Sequence, residues 1–159
     1  MTDASSELEQ LYRRPGFLLR RAHQLSVGIF EEECRAAGLT PAQYGVLIVL
    51  ASAGGIDQST VSRALGFDRV TTLRVVRGLL SRGLVSRAPS EVHGRRLALA
   101  LTAQGKQLLS QAKAPAERAF QRLLEPLAAA ERKALMALLH KLCAGLEPVA
   151  RAMIVPPGY

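Results

Sequence analysis

Residues 57–101 read DQSTVSRALGFDRVTTLRVVRGLLSRGLVSRAPSEVHGRRLALAL. Asp57 has the short acceptor side chain of a helix N-cap, and the helix it opens is expected to end at Leu65. Val61 and Leu65 would face inward, and the small Ser62 would allow close approach of the next helix. Gly66 supplies a tight turn, Asp68 caps a second helix, and Gly83 closes it. Two short strands should follow, Leu84 to Arg87 and Arg95 to Leu101, joined by a polar loop with Pro89 and Gly94 at its ends. Helix, turn, helix and hairpin is the order of a winged helix-turn-helix. The expected fold is therefore mainly α with a small β-wing.

Working outward, residues 1–12 lack sustained periodicity and read as a loose arm or a short turn of helix. Pro15 suits a first helical position, and Leu18, Ala22, Leu25 and Ile29 then recur at helical spacing, so a long amphipathic helix is expected from Gly16 to Ala37, ended by Gly38. Thr40-Pro41-Ala42-Gln43 is a capping box that starts the next helix, which runs to about Ser52. That helix is apolar almost all round and must be buried. Within the helix opened by Asp68, the apolar set is Leu73, Val76, Leu79 and Leu80. Opposite it lie Thr71, Arg74 and Gly78, flanked by Val70 and Arg77. Thr102 caps a further helix to about Leu124, with a kink or break expected near Ala114 because Pro115 lies inside the pattern. A last helix from about Ala129 to Leu146 carries Leu135, Leu138, Leu139 and Leu142, with Ala128 where a capping Ser or Asp would be usual. The first and last helices expose more apolar stripe than one small winged domain can cover, so they should form a dimerisation arm. This divides the chain into an N-terminal arm and first dimerisation helix (1–38), a DNA-binding lobe (39–101), and C-terminal dimerisation helices and tail (102–159).

The chain has 159 residues and a formal net charge of +8, so an acidic partner is indicated. Its distribution is more informative than the total. Residues 1–38 nearly balance, whereas Arg63, Arg69, Arg74, Arg77, Arg82, Arg87, Arg95 and Arg96 face only Asp68 and Glu91. With 48% hydrophobic and 21% charged residues the chain is globular, and with 4% aromatics its core should be helix on helix. The longest apolar run, Val46 to Ala51, is too short to span a bilayer, and Asp3, Glu7 and Glu9 do not suit a secretory signal or transit peptide. A cytoplasmic location is expected. Cys34 and Cys143 lack the partners of a zinc site and read as buried or neutral thiols. No nucleophile triad, metal-ligand set or phosphate loop is present, so neither an enzyme nor a metal or other cofactor is expected.

A helix fits the major groove of double-stranded DNA, and hydroxyls and arginines near its start reach base edges. Thr71 and Arg74 are the base-edge candidates, Val70 could meet a thymine methyl, and Arg69 and Arg77 are placed for phosphates or flanking bases. Ser59, Thr60 and Arg63 on the preceding helix would hold the DNA backbone. His93, Arg95 and Arg96 fall at the wing tip, where arginine can enter the minor groove.

Together, Thr71-Thr72-Leu73-Arg74, Leu79, Arg82-Gly83-Leu84-Val85, Arg95 and Leu101-Thr102-Ala103-Gln104-Gly105 resemble the MarR family of transcriptional regulators over roughly residues 15–146. The resemblance implies a homodimer with interleaved first and last helices, bound to a pseudo-palindromic operator. It also implies a small-molecule effector held between arm and DNA-binding lobe. Arg14-Pro15-Gly16-Phe17-Leu18, Ile56-Asp57-Gln58 and Asp68-Arg69 are similar to a subgroup that controls breakdown of aromatic acids of the hydroxycinnamate or nicotinate type. The expected function is a homodimeric repressor of a catabolic operon, released by such an acid. The sequence departs from the family at His93, where an Asp usually pairs with the wing arginine, and at Arg77, where an acid is common. Arg20, His23 and Gln24 on the first long helix and Tyr44 on the next are polar groups beside apolar stripes, suited to an aromatic carboxylate. Two alternatives remain. A cysteine-based redox regulator is one, although Glu31, Glu32 and Glu33 beside Cys34 disfavour its thiolate. A purely architectural DNA-binding protein is the other.

Overall fold

The computed structural model describes residues 3–89 and 97–157. In chain order it contains α1 (Asp3–Tyr12), α2 (Pro15–Glu33), α3 (Pro41–Ser52), β1 (Ile56–Asp57), α4 (Gln58–Leu65), α5 (Arg69–Ser81), β2 (Val85–Pro89), β3 (Leu97–Leu101), α6 (Ala103–Leu124) and α7 (Ala129–Leu146), then a 3-10 turn, Glu147–Val149. The wing tip, with His93, Arg95 and Arg96, lies outside the described residues.

The helix starts follow the caps. Thr40 Oγ1 accepts the Gln43 N–H at 3.2 Å while the Gln43 side chain accepts the Thr40 N–H at 3.2 Å, so the capping box is complete. Asp57 and Asp68 each accept a backbone N–H three residues on, from Thr60 and Thr71, both at 2.8 Å. Thr102 does the same for Gly105 at 3.0 Å. Each such cap is worth about 1 kcal/mol. At Ala128, which has no side-chain acceptor, the Glu131 carboxylate accepts the Ala128 N–H at 2.7 Å and supplies half of a box.

Two sets of side chains make the core. Val46, Leu47 and Leu50 of α3, Val61 of α4, Val75, Val76 and Leu79 of α5, Leu84 just before β2, Val85 and Leu99 of the sheet, and Leu109 and Ala112 of α6 are among those that form the larger one. Phe30, Cys34, Ala116 and Ala119 form the smaller one where α2 crosses α6. The three strands are antiparallel in the order β1-β3-β2, with Ile56 and Arg87 both opposite Leu99.

Several expectations are corrected. Residues 3–12 are a regular helix. α2 ends at Glu33 instead of Ala37, because the backbone turns through 34–38 to a left-handed Gly38. β2 begins at Val85 and extends to Pro89, and β1 was not foreseen. α3 is not buried all round, since Ile48 is exposed. The inward stripe of α5 is Thr72, Val75, Val76 and Leu79, rotated from the expected Leu73 and Leu80. Thr72 can be buried because its hydroxyl donates to the Asp68 carbonyl at 2.8 Å, one helical turn back. Ser62 is more than a small spacer: its hydroxyl donates to the Phe67 carbonyl at 2.7 Å and closes the turn. The helical run of α6 passes Pro115 without a break, and Gln111, whose carbonyl loses its donor, lies on the exposed side where water can reach it. Cys34 is buried, but Cys143 is exposed. Among the described residues no helix is long and apolar enough to cross a membrane.

Candidate nucleic-acid interface and the cavity behind it

Helices α4 and α5 are each ordered by a cap. At the start of α4 one oxygen of Asp57 accepts from the Ser59 hydroxyl (2.7 Å), the Thr60 N–H (2.8 Å) and the Thr60 hydroxyl (2.9 Å). Arg63, exposed, donates to Thr60 Oγ1 at 3.2 Å, so Ser59, Thr60 and Arg63 stand in one hydrogen-bonded row. At the start of α5 the Thr71 hydroxyl donates to the other Asp68 oxygen at 2.7 Å. These bonds from the Thr71 backbone and side chain hold the Asp68 carboxyl below the usual carboxylate range. With its proton committed, the Thr71 hydroxyl offers only acceptor lone pairs outward.

Arg69, Val70, Arg74 and Arg77 are all exposed on α5. Val70 is 76% exposed, an apolar side chain with nothing of this chain to cover it. Among the described residues the ion pairs lie elsewhere, between α2 and α6: Arg118 with Glu33 at 3.2 Å, and Arg122 with Glu32 at 3.0 Å and Glu33 at 3.3 Å. The arginines of α5 make no ion pair there and present a positive face to solvent. Two basic residues behave in ways sequence reasoning missed. Arg82 turns back and donates to the Gly38 and Ala37 carbonyls at 2.7 and 2.8 Å, so it fastens the loop after α2 instead of facing outward for DNA. Arg87 on β2 donates to Gln58 Oε1 at 3.2 Å, which ties the wing to the start of α4.

Behind this surface, where α2, α3 and α6 meet, lies a cavity of about 260 Å³ lined by Ser26, Phe30, Pro41, Tyr44, Gly45, Ala119 and Phe120. The Phe30 ring centroid is 5.4 Å from that of Tyr44 and 6.2 Å from that of Phe120. Burial, with smaller contributions from Cys34 and Glu117, pushes the Tyr44 phenol up from its ordinary range, so it stays a neutral hydroxyl. The wall is thus aromatic, with the hydroxyls of Ser26 and Tyr44 as its side-chain polar groups. Of the residues expected to meet a ligand, only Tyr44 is in it. Arg20 is exposed and stacks its guanidinium over Phe17 at 4.9 Å, and His23 and Gln24 are exposed on α2. His23 stands two turns before Phe30 on the same face of α2. Phe30 and Phe120 were missed, although a chain with four Phe and three Tyr that gathers three of these seven rings carries a signal. Beside the cavity, burial first and then Glu33 push the Cys34 thiol up against the opposing pull of Arg118, which disfavours its thiolate.

Comparison with known proteins agrees with this architecture. The sequence profile of the MarR family matches residues 37–96. A putative transcriptional regulatory protein for the hcr operon of Thauera aromatica is 34% identical over 131 residues, which are 80% of this chain and 77% of that protein. Among solved structures, BpsR of Bordetella bronchiseptica, described with regulation of its DNA binding by 6-hydroxynicotinic acid, is 32% identical with a TM-score of 0.76, covering 82% of this chain and 94% of its own. The transcriptional repressor CouR on a 23-mer DNA duplex is 32% identical with a TM-score of 0.76, covering 84% and 95%. The same repressor bound to p-coumaroyl-CoA has a TM-score of 0.77 at the same identity, covering 84% and 94%. These relatives are regulators and not enzymes, and with the capped helix-turn-helix, its exposed arginine face and the three-stranded sheet, they show that the chain belongs to the MarR family of DNA-binding transcriptional regulators.

Proposed function

We propose that the chain is a homodimeric repressor of a catabolic operon, released from its operator when a small aromatic acid, or the coenzyme A thioester of one, places its ring in the cavity between α2, α3 and α6. The observation that carries this is the aromatic wall of Phe30, Tyr44 and Phe120, sized for one ring and closed by neutral hydroxyls. Two of the similar structures support it by what they hold or respond to, 6-hydroxynicotinic acid and p-coumaroyl-CoA. A free carboxylate would lie at the mouth, within reach of α2, where Arg20, His23 and Gln24 are the polar groups on offer.

The route from ring to DNA runs through a single helix. Tyr44 and Gly45 line the cavity from the first turns of α3. A β-carbon on Gly45 would stand 3.3 Å from Leu65 of α4, and one on Gly78 of α5 would stand 3.5 Å from Gln43 of α3. A shift of the α3 start is therefore felt by both DNA-facing helices. A ligand changes DNA affinity only by favouring one presentation of those helices over another, and a coupling of roughly 1–3 kcal/mol corresponds to about 5–150-fold release. Titration of DNA-bound protein with hydroxynicotinic and hydroxycinnamic acids and their thioesters, followed by anisotropy, tests this. Tyr44→Ala should lose most of the response. If Arg20→Ala responds like the wild type, Arg20 is not the carboxylate partner, and silence of the wild type to every compound overturns the effector reading.

The dimer is supported by what the chain leaves uncovered. α7 buries none of its residues, and Met136, Leu138, Leu142 and Leu146 are exposed along it, as are Leu18, Leu19 and Leu25 on α2. The arm then comprises residues 1–38 and 102–159 around a lobe of 39–101, with the first turns of α6 shared by the lobe's core through Leu109 and Ala112. Sedimentation at micromolar concentration should give twice the chain mass. A folded monomer there would overturn the dimer.

A further inference from the structure

The chain does not leave the molecule after α7. The 3-10 turn Glu147–Val149 redirects it, the Glu147 carboxylate accepts the Ile154 N–H, and the backbone then lies against the end of α4. Val155 N–H donates to the Arg63 carbonyl at 2.9 Å. That carbonyl belongs to the last turn of α4, where helical acceptors lack an intrahelical donor, and its other partner, the Gly66 N–H, is a long 3.4 Å away. Ile154 covers Gly66 itself: a β-carbon there would meet Ile154 Cγ1 at 3.0 Å and the Ala152 carbonyl oxygen at 3.5 Å. Gly66 is left-handed, with φ of 62°, and is the C-cap through which α4 hands over to α5. The segment therefore fastens the turn whose geometry sets the angle between the two DNA-facing helices.

It does so without contributing to the core. Ile154 is 54% exposed, and neither it nor Val155 belongs to either buried set. Its other end is α7, which in this chain packs chiefly on the 3-10 turn that follows it. A segment with little buried surface, bonded to backbone at a hinge and continuous with a helix that has little other anchorage, is built to hold position more than to add stability.

We propose that residues 150–157 are a strap tying α7 to the α4–α5 turn, so that the position of α7 sets how the recognition helix α5 is presented. This is a second route into the DNA-binding lobe, separate from the cavity on α3. It rests on the DNA-binding reading alone and needs no effector.

The test compares the full chain with a chain ending at Val149 and with Ile154→Asp, which keeps the full length. Amide hydrogen exchange is read at residues 64–70 and across α3, together with affinity for a duplex selected from a random pool by the full chain. In both variants exchange at 64–70 should quicken about tenfold or more while α3 is unchanged, since local opening is governed by local contacts. Affinity for the selected duplex should fall by about 5-fold or more, the lower end of ordinary coupling between sites. Unchanged exchange at 64–70, or unchanged affinity despite faster exchange there, overturns the strap. Faster exchange throughout α3 also overturns it, because the segment would then merely support the core. If the full chain selects no duplex, the DNA-binding reading itself fails, and exchange at 64–70 alone decides whether the segment fastens the turn.

Discussion

Gly105→Ala should lower the midpoint of thermal unfolding by roughly 6–12 °C, the consequence of about 3 kcal/mol of overpacking in a chain of this size. Gly105 is buried in the first turn of α6. A β-carbon there would overlap the Leu84 carbonyl oxygen and stand 3.0 Å from its carbon. That oxygen is not free to swing away, because it accepts the Thr102 N–H at 3.1 Å. Thr102 in turn donates its hydroxyl to the Gly83 carbonyl at 2.7 Å and caps α6 by accepting from Gly105. The close of α5, the start of β2 and the start of α6 are thus knotted at one point, and relief requires α6 to withdraw from Leu84, taking Leu109 and Ala112 off the core. Differential scanning calorimetry reads the effect. A shift of less than about 2 °C would mean that this junction yields at a cost below about 1 kcal/mol and that the overlap is absorbed locally.

What was legible in the sequence is what is local. The caps at Thr40, Asp57, Asp68 and Thr102 are side chains that bond to backbone three residues away, so they announce their helices without reference to the rest of the fold. What was illegible depends on partners distant in sequence. β1 is two residues long, too short for alternation, and exists because Leu99 pairs with Ile56. Thr72 reads as polar until its hydroxyl is seen to be satisfied by its own helix. Arg82 looks like one more cation in a basic run, yet its guanidinium is spent on the Ala37 and Gly38 carbonyls, more than forty residues away.

The candidate site divides in the same way. The exposed arginines of α5 were readable because helix periodicity alone puts Arg74 and Arg77 opposite the buried stripe, and a rotation of that stripe by one residue leaves both exposed. The cavity was not, because Phe30, Tyr44 and Phe120 come from three helices and meet only through tertiary packing. Polar residues near an apolar stripe pointed to α2 and α3, two of the helices that line the cavity, but chose the exposed Arg20 over Phe30, one a charge that stays in water and the other a ring that does not.

Arg74→Ala should weaken binding to a selected operator by about 1–3 kcal/mol, some 5–150-fold, and relax the sequence preference at one position in each half-site. Arg74 is exposed within the second turn of α5, with Val70 one turn before it and Thr71 capped beside Asp68, so its guanidinium can reach a guanine edge while the helix start enters the groove. Arg77 lies one turn further along, where it would face the groove wall if the start of α5 enters the groove. Its loss should weaken selected and random duplexes nearly alike and reduce the slope of log affinity against log salt by about 1, the signature of one phosphate contact removed. The two variants therefore differ in kind as well as in size. Salt titrations of both on a selected site, its single-base variants and an unrelated duplex separate them, and a dimer should require half-sites about one helical turn apart. If Arg74→Ala loses affinity evenly across all these sequences, with a salt slope changed as for Arg77→Ala, then Arg74 holds phosphate, and base reading must fall to Thr71, Val70 and the wing.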